Sequence, residues 1–77
     1  MNTEMKAHTI KNETATHQTT VEEIREGVYQ IVVFDVNQAE AFEMLGTMAA
    51  TAGRIGAHVV HSGYKEADSY LRIQITS

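Results

Sequence analysis

Residues 37–53 constrain this chain more than any other stretch, because they read as one capped, amphipathic helix with strand-like runs on both sides. Asn37 is a natural N-cap: its side-chain oxygen can accept from a free amide of the first turn. Glu40 can reach back to the Asn37 amide and suits the positive end of the helix dipole. Gly53 follows the last periodic residue, where a left-handed C′ residue is expected, and Arg54 comes next at the negative end. At about 100° per residue, Glu40, Glu43, Thr47, Thr51 and Arg54 form a polar stripe. Ala41, Phe42, Leu45, Ala49 and Ala52 lie opposite and are expected to meet the core. Met44 and Met48 form one shoulder, a core edge or an adaptable contact surface. Gly46, Ala50 and Gly53 form the other. Gly46 and Ala50 either let the helix lie close on its own sheet or let a second copy approach.

Ahead of the helix, residues 28–34 are β-branched and aromatic and predict a strand that is apolar on both faces. Such a strand is normally covered on both sides. Beyond the helix, residues 55–61 predict a strand, residues 62–68 a loop, and residues 69–76 a final strand with strict alternation. Leu71, Ile73 and Ile75 face the core there, while Tyr70, Arg72, Gln74 and Thr76 face away. Residues 19–26 predict a strand running through Gly27 into the next. A short helix is the alternative, because Val21 and Ile24 do not share a strand face. The order is (β)-β-α-β-β, and the strand–helix–strand crossover leaves a slot for the last strand, antiparallel to both neighbours. The expected fold is α+β: a small antiparallel sheet of three to four strands with one helix packed on one face. The second sheet face then needs a cover, and a homodimer is expected to supply it.

Residues 1–18 are expected to form a flexible polar arm, since Ile10 and the methionines offer too little apolar surface to offset ordering. A short edge strand over residues 8–11 is the alternative. Residues 19–77 make a single domain, and a chain of 77 residues buries a core with little stability to spare. The absence of cysteine excludes disulfides, thiolate metal sites and cysteine nucleophiles. A net charge of −4, with scattered Lys and Arg, argues against broad electrostatic binding to nucleic acid or an anionic membrane. No basic segment followed by an apolar run opens the chain, and no window would span a bilayer, so a cytoplasmic location is expected.

Chemistry-bearing residues are sparse. His58 and His61, three apart on a strand, are expected to diverge to opposite faces, so no metal site is read there. Asp35, His58, His61, Tyr64 and Tyr70 are acid–base groups that no motif brings together, and neither a catalytic site nor a cofactor is expected. The segment from Gly53 to Gly56 follows a helix rather than opening one, unlike a phosphate-cradling loop. The open sheet face is more informative: Tyr70, Arg72 and Gln74, joined by His58 or His61 and by Tyr29. Aromatic and arginine side chains on a sheet serve base stacking or protein contacts, and the acidic charge favours protein. The expected function is a non-catalytic interaction module, a small acidic accessory or inhibitor-type protein. It binds a protein partner, or itself, through Tyr70, Arg72 and Gln74. Met44 and Met48, and the Glu40 and Glu43 stripe facing a basic partner, are further contacts. The alternatives are a small oligomer enclosing a small-molecule ligand and a nucleic-acid module using the Tyr/Arg face.

Overall fold

The computed structural model describes residues 2–14 and 16–77. In chain order its elements are helix α1 (Thr3–Lys11), a 3-10 turn (Asn12–Thr14), strands β1 (Thr19–Arg25) and β2 (Val28–Val33), helix α2 (Gln38–Arg54), strand β3 (His58–Lys65), a second 3-10 turn (Glu66–Asp68) and strand β4 (Tyr70–Thr76). The class is α+β, with one sheet of four antiparallel strands and two helices. The sheet order β1-β2-β4-β3 inserts the last strand between the two joined by α2. The element order departs from the expected one at its start, where a helix precedes β1.

Residues 3–11 are helical, not an arm and not an edge strand. Asn2 caps α1 by accepting from the Met5 amide at 2.9 Å. Ala7 and Ile10 lie three apart, hence on one face of the helix, and both are fully buried. They join Ile31, Val33, Ile73 and Ile75 in one core, with α1 packed across β1 and β2 and beside α2. Nine residues with two core side chains would not hold a helix in isolation. The sheet supplies the apolar partner surface that the segment itself lacks. The Thr3 and Ser77 hydroxyls hydrogen-bond, joining the two ends of the chain, and Lys6 Nζ donates to the Gly56 carbonyl at 3.1 Å. Of the expected arm, Met1 and Ala15 lie outside the described residues.

Helix α2 opens with the anticipated capping box. The Glu40 amide donates to Asn37 Oδ1 at 2.8 Å, and the Asn37 amide donates to Glu40 Oε1 at 3.1 Å. Its other end lies beyond Gly53. The left-handed residue is Gly56 (φ +77°), and the Ala57 amide bonds back to the Ala52 carbonyl at 2.8 Å. The buried arc is also rotated from the expected one. Ala41, Met48, Thr51 and Ala52 are buried, Met44 and Leu45 half-buried, whereas Ala49 is exposed and Phe42 is 63% exposed. The cause is α1. Helix α2 lies in the angle between the sheet and α1, so its methionine shoulder is enclosed and its Phe42 side turns outward. Thr51, expected on the polar stripe, is enclosed as well, with Oγ1 donating to Glu13 Oε1 at 3.1 Å. Gly46 does not serve close packing on the sheet: a Cβ at Gly46 or Gly53 would meet nothing within 4 Å.

The β4 alternation is as expected, with Leu71, Ile73 and Ile75 buried. Leu71 stands opposite Val33, and Ile73 opposite Ile31. Strand β3 is displaced towards the C-terminus relative to expectation. Residues 55–57 close the helix, and residues 62–65, expected in the loop, continue the ladder against β4. Tyr64 holds this extension in place, its hydroxyl donating to the Val36 carbonyl at 2.6 Å.

Candidate interaction face

Residues directly paired across a sheet share a face, so the register defines the surface opposite the helices. One row there runs Thr20, Val32, Arg72, Gly63 and the next Glu22, Gln30, Gln74, His61, with Lys65 beside Tyr70. The other face carries Ile31, Val33, Leu71, Ile73 and Ile75, on which both helices pack. Tyr70, Arg72 and Gln74 therefore lie together on the open face, as their alternation implies. Tyr29 does not join them. It pairs with Ile75 and packs at the core margin under the helices. Its phenol is pushed above the ordinary tyrosine range, first by desolvation, then by the carboxylates of Glu23 and Glu4.

The two β3 histidines also differ from expectation. The register shifts between Val59 and His61, so Val60 is an extra residue in the strand. His58 then stands opposite Thr76 and His61 opposite Gln74, two positions apart on β4. Both histidines thus belong to the open face, where simple alternation would have separated them. Among the described residues, no three His, Asp or Glu side chains are grouped as a metal site.

Arg72 is the centre of this face. Its Nη2 lies 3.6 Å from where a Cβ on Gly63 would stand, so the guanidinium reclines across the bare glycine. Its Nε is buried without an acceptor, and among the described residues it forms no ion pair. Lys65, by contrast, is held by Asp68 at 3.2 Å, and its Nζ lies 6.0 Å from the Tyr70 ring centre. Tyr70 stacks at a tilt of 58° on Phe34, centroids 6.4 Å apart. Gly63, Lys65, Tyr70 and Arg72 line a recess of about 240 Å³. Gln74 is already engaged, donating to Gln30 Oε1 at 2.9 Å. Nothing in the sequence marks Gly63 as the neighbour of Arg72; only the β3–β4 register brings them together.

On the helical side the expected contact residues separate. Met48 is completely buried and so is core, while Met44 is half-buried at the edge of a hollow of about 420 Å³. Glu13, Thr16, His17, Glu40, Glu43 and Thr47 line the rest. Glu43 is exposed. Glu40 is committed within the chain, to the capping box and, through Oε2, to His17 Nε2 at 3.9 Å. No protein-family model matches the chain, and no curated protein is found to be related to it. Among the described residues, no helix is long and apolar enough to cross a membrane.

Proposed function

We propose that the chain is a non-catalytic interaction module of the small acidic accessory kind, which binds a protein partner through its open sheet face. Arg72 is the central contact, with Tyr70 and Lys65 at the rim. The observation that carries this reading is Arg72, which has no ion pair among the described residues and whose buried Nε finds no acceptor among them. Leaving a buried donor unsatisfied costs about 1–3 kcal/mol, and an acceptor brought by a partner would recover part of that cost. Arginine and aromatic residues side by side are what protein interfaces favour. The net charge of −4 argues for protein over nucleic acid. The test is partner capture by the purified chain and by Arg72→Glu, with thermal melts verifying that both are folded. Loss of the captured protein supports the face; retention at full strength refutes it.

Self-association is a second reading, favoured by Phe42. That ring is 63% exposed on the flank of α2 that also carries Gly46 and Gly53, both with open space beside them. In a two-fold pair, the phenyl group of one copy would find room over the glycines of the other. Sedimentation equilibrium is expected to show a dimer that Phe42→Ser dissociates. A monomer at all concentrations rules this reading out.

A further inference from the structure

We infer that the partner contributes an extended acidic segment, which adds to the free edge of β3 and sets one carboxylate on Arg72; this rests on the open-face reading above. Strand β3 lies at an edge of the sheet, where unpaired backbone groups can receive another strand. The two edges are defended differently. Strand β1 carries Glu22, Glu23 and Arg25, charges that discourage pairing, whereas β3 has no acidic residue from His58 to Lys65. The bulge at Val60 interrupts the first half of β3. Residues 62–65 pair regularly with residues 70–73 and leave a straight stretch of edge.

Gly63 lies in that stretch, on the open face and in line with Arg72. A strand added outside β3 would run about 4.8 Å away and place one side chain in the same row. Ordinarily the β3 side chain would stand between that residue and β4. Here the position is bare, and the Arg72 guanidinium already extends over it. An Asp or Glu in the incoming strand would therefore meet the guanidinium across the glycine and form a charge-assisted pair. Lys65, two residues along on the same face, is already held by Asp68, so Arg72 is the cation left for the carboxylate. Backbone pairing supplies attachment in this mode, and the carboxylate supplies selectivity.

The test uses the full chain, labelled with ¹⁵N, and two capped eight-residue peptides of alternating Thr and Val. One carries a single central Glu and the other Gln. The expected result is amide shifts at residues 62–65 and at the Arg72 Nε–H, with the Glu peptide binding at least about tenfold more tightly. Arg72→Gln should remove that preference. Gly63→Thr, which occupies the bare position, should weaken the Glu peptide towards the Gln peptide. Equal affinities for the two peptides, shifts confined to β1 or the helices, or no binding at millimolar peptide would each overturn the proposal. If Arg72→Glu abolishes partner capture while neither peptide binds, the open face stands and strand addition fails. If capture survives Arg72→Glu, both fall.

Discussion

Ile10→Ala tests whether the N-terminal helix is structural. Ile10 has no exposed surface and packs among Ala7, Ile31, Val33, Ile73 and their neighbours. Truncating a fully buried isoleucine to alanine costs about 2–5 kcal/mol, the spread reflecting how far the surroundings collapse into the space. A 77-residue domain has roughly 4–12 kcal/mol of stability in all, so this one side chain holds a large share of it. The assay is urea unfolding followed by far-ultraviolet circular dichroism. The midpoint is expected to fall by on the order of 1–2 M, with an unchanged slope. Met5→Ala is the control: it lies in the same helix but is 56% exposed, and it should change stability by less than about 0.5 kcal/mol. An Ile10→Ala effect as small as the control's would mean that α1 does not pack on the sheet, and the physical account of the rotated α2 would fail with it.

Three further outcomes follow from the same geometry. Asn37→Ala should cost about 1 kcal/mol in thermal melts, because the Glu40 amide loses its acceptor; an unchanged melt would deny the cap its role. Alanine at two glycines should act with opposite signs. Gly56→Ala should destabilise by about 1 kcal/mol or more, since φ is +77°, and Gly46→Ala should stabilise by roughly 0.5–1 kcal/mol, since it is helical with open space around it. Equal effects at both positions would contradict this. Tyr29 should ionise above the ordinary value of 10.0 in a tyrosinate absorbance titration. Its neutral form is favoured by the fold, so the associated stability is present below the ordinary tyrosine pKa and is lost as pH rises through the folded value. Glu23→Gln should lower that value by removing the Glu23 charge, and no response would refute the share assigned to Glu23 beside desolvation.

Much of the scaffold was legible from local chemistry. The Asn37–Glu40 cap, the alternation in β4 and the slot for the last strand depend on residues close in sequence or on chain-crossing rules, and these act before any tertiary contact forms. The open-face placement of Tyr70, Arg72 and Gln74 follows from the same alternation. What only the tertiary structure decided depends on surfaces brought from far along the chain. Residues 3–11 have no apolar pattern sufficient for a helix alone; the sheet provides the surface that Ala7 and Ile10 need. Once α1 is present, it turns α2, enclosing Met48 and Thr51 and exposing Phe42. The bulge at Val60 returns His61 to the face of His58, because one added residue reverses the alternation beyond it. The contact between Arg72 and Gly63 is of the same kind. Each residue is ordinary in its own strand, and the register between two strands makes one the shelf on which the other lies.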